Sequence, residues 1–212
     1  MGTETMEANA PQLETSSLKS TMLVSLRATL VTLIVTGLIY PFVMTGLGQL
    51  IFPKQAAGSL VHDGRGQVVG STLIGQAFSA PGYFQTRPSA AGNGYDATSS
   101  SGSNLGGSSA KLRARVEADI ARLRSENPDA PGLVPVELVT ASASGLDPHI
   151  SPAAARWQMP RVAKARGVNV ERIQALVADA TTGRDLGLWG ESRVNVLMLN
   201  LALDKLLGAP NK

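Results

Sequence analysis

The sequence predicts a single N-terminal transmembrane helix followed by a mixed α+β domain on the extracytoplasmic side. An apolar run without any charged residue, Ala28 to Phe52, lies near the N-terminus. The rest of the chain is polar and long enough to bury a core of its own. Short strand patterns alternate there with helical patterns. We therefore expect a polar, disordered tail over residues 1–21, a transmembrane helix over 22–52 and an α+β domain over 53–212.

The apolar run is long enough to cross a bilayer. At about 1.5 Å of rise per residue it reaches roughly 37 Å, more than the roughly 30 Å of hydrocarbon. Lys19, Arg27 and Lys54 flank it where interfacial cations belong. A cleaved signal peptide, with Ala56–Gly58 as the cleavage site, is one alternative, but its apolar core is only about 7–15 residues long. A buried helix of a soluble protein is another, and it seldom stays uncharged over such a length.

The flanking charges do not decide the orientation of the span. Lys19 and Arg27 on the N-terminal side balance Lys54 and Arg65 on the other. The chain has no cysteine, which suits an oxidising compartment without requiring one. We expect the N-terminus to lie in the cytoplasm.

One face of the span is small and carries hydroxyl groups. Small residues let helices approach closely in lipid, so this face predicts contact with a partner helix. The alternative is that each threonine hydroxyl simply bonds to a carbonyl of its own helix. Pro41 lacks an N–H and is expected to kink the span. The face consists of Ala28, Thr29, Thr32, Thr36, Gly37 and Tyr40.

The first part of the domain reads as a hairpin followed by a long loop. Ser59–Val61 and Gln67–Val69 flank the turn Asp63–Gly66, a pattern typical of two antiparallel strands. The segment Ala80–Ser109 is of low complexity and rich in Gly, Ser and Asn. A loop of this length is either functional or disordered.

Helical periodicity resumes after this loop and stops at Asn127–Pro128. Pro135–Val139 is predicted to be a strand, and Ser151 with Pro152 is predicted to cap the next helix. Pro160 is expected to divide that helical region into two pieces. In the helix that stops at Asn127–Pro128, the apolar stripe is Leu112, Val116, Ile120 and Leu123.

Two further helices are predicted towards the C-terminus. Asn169 is expected to cap one that ends at Gly183. The last, Arg193–Leu207, is apolar nearly all round, so it should form the buried centre of the domain. Leu197 and Leu201 are expected to be buried.

Composition and spacing argue against several chemistries. The chain has a net charge of +3 and 4% aromatic residues, which gives neither a basic stripe nor a stacking platform for nucleic acid. Ser99–Ser101, Asp147 and His149 supply the residue types of a hydrolase triad, but no Gly-x-Ser-x-Gly elbow is present. The run Gly102–Gly107 lacks the Gly-Lys-Ser/Thr ending of a phosphate-binding loop. Two histidines and no cysteine do not suggest a metal site.

Five motifs nevertheless occur in an order and spacing that resemble the C subunit of the Kdp-type potassium-transporting P-type ATPase. The resemblance covers about Leu23 to Leu206. Ser101 stands where that family usually has Gly, and Ser109–Ala110 where it often has Asn-Pro. The motifs are Tyr83-Phe84 with Arg87-Pro88-Ser89-Ala90, Gly102-Ser103-Asn104-Leu105, Ser144 to Pro152, Pro160-Arg161-Val162-Ala163 with Ala165-Arg166, and Val194 to Asp204.

The resemblance implies a non-catalytic accessory subunit in a bacterial inner membrane. Its partners would be a channel-like potassium-translocating subunit, a P-type ATPase subunit, a small stabilising membrane subunit and the lipid bilayer, with no nucleic acid. ATP and potassium would be handled by the complex, and no cofactor is assigned to this chain. Its role would be assembly and the extracytoplasmic potassium entrance, or an increase in the ATP affinity of the catalytic subunit. The motif positions without an assigned role are Arg87, Gly102, Ser103, Asn104, Leu105, Asp147, His149, Arg161, Asn195 and Asn200. A membrane-anchored extracytoplasmic hydrolase that uses a serine with His149 is the alternative.

Overall fold

The computed structural model describes residues 17–210, so most of the tail predicted over residues 1–21 lies outside the described residues. The chain divides into two compact units between Ala56 and Ala57. The N-terminal unit is helical, and the C-terminal unit mixes helices with short strands. The predicted class, one long apolar helix followed by an α+β region, is confirmed.

The N-terminal unit is a long helical rod. Helix α1 spans Leu18–Ile34, a π-helical turn spans Val35–Ile39, helix α2 spans Tyr40–Ile51, and the short helix α3 spans Pro53–Ala56. The segment Leu18–Ile51 is long and apolar enough to cross a membrane. It begins a few residues before the predicted position 22.

The π-helical turn ends at Ile39, two residues before Pro41, which lies in the first turn of α2. A proline ring clashes with the carbonyl four residues earlier in an α-helix, and one wider turn relieves that clash. Pro41 is therefore accompanied by a widened turn of the helix. The expected kink, a bend of the helix axis, stays a prediction.

The C-terminal unit begins with the predicted hairpin. Strand β1 (Leu60–His62) pairs antiparallel with strand β2 (Val68–Ser71). The Asp63 carboxylate accepts backbone N–H bonds from Arg65 and Gln67, at 2.8 and 2.9 Å, which closes the turn. Within the described chain, no helix or strand follows until helix α4, Ala110–Glu126. Ser109 caps α4 through its hydroxyl, and Asn127 ends it as predicted.

The prediction of a strand at Pro135–Val139 is wrong. Val136–Leu138 forms a 3₁₀ turn instead. The consecutive residues Leu138 and Val139 are both buried, whereas Val136 is exposed. Consecutive side chains of a strand point to opposite faces, so a strand packed on one face only would not bury both, whereas the 3₁₀ turn does.

Helix α5, Pro152–Arg166, begins at the predicted cap, where the Ser151 hydroxyl accepts from Ala154 N–H. The expected break at Pro160 is wrong, because α5 continues through it. The carbonyl of Arg156, four residues earlier, loses its partner, and Arg156 lies on the exposed side of the helix, where water can replace the lost bond. Buried neighbours such as Trp157 and Val162 hold the helix together.

A three-stranded antiparallel sheet, not foreseen from the sequence, completes the unit. Strand β3 (His149–Ile150) and strand β4 (Thr181–Thr182) both pair with the central strand β5, Arg193–Asn195. Helix α6 spans Val170–Asp179 and ends before the predicted Gly183. Helix α7 spans only Val196–Leu207, because β5 takes the residues before it.

Helix α7 crosses the core with one buried stripe. Leu199 and Leu203 are fully buried, and Leu197 is 4% exposed. The expectation for Leu201 is wrong: it is half-buried, because the core-facing stripe falls on Val196, Leu199, Asn200 and Leu203. Met198 and Leu206 are exposed, so α7 is not buried on all sides as expected, although most of its residues are apolar. The core joins α7 to α5, α6 and Phe84 of the long loop.

Candidate functional site

The small face of the span is not covered by any other part of the chain that the structure describes. Ala28, Thr29, Thr32 and Thr36, together with Leu33, line one shallow concavity on its surface. None of the residues in α1 or α2 is buried. Four of the six predicted partner-facing residues therefore share a surface into which another helix can fit closely, and Gly37 and Tyr40 do not line it.

The hydroxyl of Thr36 is already committed within the helix. It donates to the carbonyl of Thr32 at 2.7 Å, the back-bonding expected as the alternative for threonines in a span. The contribution of this position to a helix contact would then be its small size, since its proton is not free for a partner.

The motif Gly102–Leu105 packs against the segment Ser142–Gly145. Ser101 N–H donates to the carbonyl of Ser144 at 3.0 Å. A Cβ on Gly102 would lie 2.9 Å from the Ala143 carbonyl oxygen, so only glycine allows this approach. Ser103 and Leu105 are half-buried and Asn104 is exposed with φ +50°. The long loop is thus held by specific backbone contacts.

Three motif positions come together at a polar cleft. Arg87 Nη1 lies 3.4 Å from Asp147 Oδ2, and His149 Nδ1 lies 3.3 Å from Asp147 Oδ1. The guanidinium of Arg87 also donates to the carbonyls of Thr140, at 3.3 Å, and Ala141, at 3.5 Å. Arg87 therefore ties the long loop to the segment that precedes β3.

The environment keeps Asp147 ionised. The hydrogen bond from the His149 imidazole is the main reason why the pKa of the Asp147 carboxyl lies below its ordinary value of 3.8. The backbone N–H of His149, 3.0 Å from Oδ1, and the positive charge of Arg87 act in the same direction, while partial burial opposes them.

The other walls of the cleft come from residues that sequence reasoning missed. The cleft has a volume of about 270 Å³. Glu137 Oε1 accepts from both the backbone N–H, at 2.9 Å, and the hydroxyl, at 2.6 Å, of Ser151. Glu191 and Ser192 contribute from the end of the turn before β5, and Arg193 contributes from the first position of β5. No sequence signal joins them to Arg87, because they meet only when β3 and β5 pair.

The side chains of the remaining motif positions make hydrogen bonds to backbone groups. The side-chain Oδ1 of Asn195 caps α7 by accepting from Met198 N–H, and its Nδ2 donates to Thr72 O at 2.8 Å. Asn200 bonds both the N–H and the carbonyl of Phe84. Arg161, 8% exposed, donates to the carbonyls of Pro81, at 2.7 Å, and Tyr83, at 3.0 Å. Burial lowers the pKa of Arg161, yet guanidinium stays protonated in proteins.

The cleft contains an Asp–His pair but does not form a nucleophilic triad in the part of the chain that the structure describes. A triad needs a hydroxyl bonded to the histidine. Ser100 donates instead to Ser144 O at 2.9 Å, Ser101 to Gly102 O and Ser151 to Glu137. The hydroxyls of Ser100, Ser101 and Ser151 are therefore bonded to groups other than His149.

Comparison with known proteins gives a consistent result. A family model described as K⁺-transporting ATPase, c chain (KdpC), matches residues 22–205. The chain is 61% identical over 189 residues to the potassium-transporting ATPase KdpC subunit of Myxococcus xanthus, which covers 89% of this chain and 90% of that protein. It is 55% identical over 172 residues to the subunit of the same name from Rhodospirillum rubrum, covering 81% and 89%. With that of Methylobacterium nodulans it shares 55% over 203 residues, covering 88% and 100%.

Proposed function

This chain belongs to the KdpC family, the c chain of K⁺-transporting ATPases, and from that membership we propose that it is a non-catalytic accessory subunit that stabilises the complex and shapes the extracytoplasmic entrance for potassium. The observation that carries the proposal is the combination of the family match with one apolar helix whose small face is open. Catalysis of ATP hydrolysis is assigned to a partner, the P-type ATPase subunit.

The small face of the span docks beside the channel-like, potassium-translocating subunit in this proposal. Bringing helices together in lipid gains little from the hydrophobic effect, so close packing over small residues dominates. The back-bonded Thr36 supports a contact of this steric kind. A further small membrane subunit would complete the assembly.

The domain lies outside the bacterial inner membrane in this proposal. An extracytoplasmic domain cannot touch cytoplasmic ATP, so any effect on ATP affinity must pass through the membrane as a coupling between distant sites. The internally bonded cleft of Arg87, Asp147 and His149 supports a surface that recognises a partner. We therefore favour the structural and entrance role over direct nucleotide contact.

Co-purification in mild detergent tests the proposal. The tagged chain, taken from cells that make the whole system, should bring down both a channel-like subunit and a P-type ATPase subunit. Recovery of this chain alone would contradict it.

A matched pair of variants tests the small face in the same experiment. Thr32→Leu with Thr36→Leu should release the chain from the complex, since bulky side chains obstruct a close helix crossing. Leu30→Val with Ile34→Val, on the other side of the helix, should leave recovery unchanged. Equal recovery of the two double variants would show that the small face is not the contact.

A further inference from the structure

The backbone carbonyl of Thr36, within the span, lacks both of its usual donors. An α-helical spacing would pair it with the N–H four residues on, at Tyr40, and a π-helical spacing with the N–H five residues on, at position 41. Tyr40 N–H bonds instead to Val35 O, and Pro41 has no N–H. The widened turn before Pro41 therefore leaves Thr36 O without a backbone partner.

No side chain of the span supplies the missing bond. Within residues 22–52, all of which the structure describes, the one side-chain hydrogen bond joins the Thr36 hydroxyl to Thr32 O at 2.7 Å. Gly37, the next residue, has no side chain to shield the carbonyl. Beyond the two chain neighbours of Gly37, the side-chain atom nearest to a Cβ placed there is the apolar Leu33 Cδ1, at 3.5 Å. The oxygen must therefore find its donor outside this helix.

Lipid cannot satisfy this oxygen. At about 1.5 Å of rise per residue, Thr36 lies roughly 12 Å beyond Ala28, where the uncharged run begins. Acyl chains carry no hydrogen-bond donor, and a backbone group without a partner is strongly unfavourable in hydrocarbon. Prolines are tolerated in membrane helices because neighbouring helices bond to the backbone groups that they free. The open carbonyl therefore calls for a donor from another protein helix.

A second copy of this span is a poor source of that donor. A twofold pair of parallel helices brings each residue of the contact face against its own counterpart. At this level of the small face the counterparts are Thr36, whose hydroxyl is already bonded to Thr32 O, and Tyr40. Two Tyr40 rings facing each other would hold the backbones apart, whereas a bond to a backbone carbonyl requires a close crossing. A different helix, with small residues opposite Tyr40, fits better.

We propose that a transmembrane helix of the channel-like subunit crosses the span at Thr36 and Gly37 and donates a side-chain hydrogen bond to Thr36 O. The donor is an uncharged hydroxyl, amide or indole group. A cationic donor would need a counter-charge in the bilayer, and Ala28–Phe52 contains no charged residue. This inference rests on the proposed function for the identity of the partner subunit, and it adds the chemistry of the contact.

Photo-cross-linking of the assembled complex identifies the partner helix. A photoreactive phenylalanine analogue in place of Tyr40, one turn beyond Thr36, should cross-link to the channel-like subunit. Mass spectrometry should place the cross-link within one helical turn of a side chain with a hydroxyl, amide or indole group. The same analogue in place of Phe42, which lies off the small face, is the control and should not cross-link to that segment. A cross-link from position 40 to phospholipid, to a second copy, to a different subunit or to a segment without such a side chain would overturn the inference.

A second measurement tests the hydrogen bond itself. Complexes are captured through a tag on the channel-like subunit and washed in mild detergent, and release of this chain is followed over time. Replacing the identified donor by an apolar residue of similar size should speed release of the wild-type chain about three- to tenfold, as loss of one hydrogen bond between membrane helices does.

Pro41→Ala should abolish that effect, because a regular α-helix gives Thr36 O a donor of its own. Pro53→Ala is the matched control, since Pro53 begins α3 beyond the span, and in that chain the donor replacement should still speed release. Equal acceleration in the wild-type and Pro41→Ala chains would overturn the inference while leaving the accessory role intact. If the wild-type chain is not captured with the channel-like subunit at all, the proposed function itself falls.

Discussion

The amide of Asn200 is expected to carry a large share of the stability of the C-terminal unit. Its Oδ1 accepts from Phe84 N–H at 2.9 Å and its Nδ2 donates to Phe84 O at 3.0 Å. Asn200 is 2% exposed and Phe84 is 0% exposed, so water cannot replace either bond. Phe84 lies in a long loop without strand or helix, where side chains must satisfy the buried backbone.

Asn200→Leu keeps the branching of the side chain and removes both hydrogen bonds. Each buried backbone group left without a partner costs about 1–3 kcal/mol, so the variant should lose about 2–6 kcal/mol. That is a large part of the roughly 5–15 kcal/mol by which a domain is stable. At about 2–4 °C for each kcal/mol in a domain of this size, the melting temperature should fall by about 4–24 °C.

The assay is thermal melting of the full chain in mild detergent, followed by the fluorescence of the buried Trp157. Asn169→Leu is the matched control, because Asn169 is exposed and makes no side-chain capping bond. A melting temperature for Asn200→Leu no lower than that of the control would refute the reasoning. Below its melting temperature the Asn200 variant should still join the complex, which separates a role in folding from a role in binding.

Three further predictions concern the membrane orientation of the domain, the charge on Asp147 and the close backbone packing at Gly145. Ser108→Cys, at an exposed position, should react in intact cells with a thiol reagent that cannot cross the inner membrane; labelling only after lysis would reverse the orientation. The lowered pKa of Asp147 means that its ionised form stabilises the fold above pH 3.8 and that this contribution is lost as the pH falls below that value. Urea titrations should therefore show that the gap in stability between the wild-type chain and Asp147→Asn narrows as the pH falls below 3.8, and a constant gap would contradict this. Gly145→Ala should lose more than about 1 kcal/mol in the same titrations, because φ is +68° and the new Cβ would lie 2.5 Å from Ser101 O; Gly106→Ala, which meets open space, should not.

Local signals were sufficient for the span, the hairpin, the end of α4 and the start of α5. The absence of charge identifies the membrane helix, because the bilayer excludes ions irrespective of what the rest of the chain does. The hairpin turn at Asp63 and the cap at Ser151 are equally local, since each hydrogen bond joins residues two to four positions apart. The order of the motifs was sufficient for the family.

The polar cleft could not be assembled from the sequence. Arg87 meets Asp147 across a separation of 60 residues, and that contact forms only after the long loop packs on the segment before β3. The strands β3 and β4 have two residues each, too few to show an alternating pattern.

The sequence by itself determined the membrane span, the α+β class, the cap at Ser151 and the family of this chain, because hydropathy, capping chemistry and each motif are patterns of a few neighbouring residues. The tertiary structure alone decided that Pro160 stays within a helix and that Val136–Leu138 forms a 3₁₀ turn. It also decided that the side chains of Asn200 and Arg161 form hydrogen bonds with backbone groups of the long loop. Each of these outcomes depends on which side chains are buried together. Burial is set by contacts between distant segments, and those contacts exist only in the folded chain.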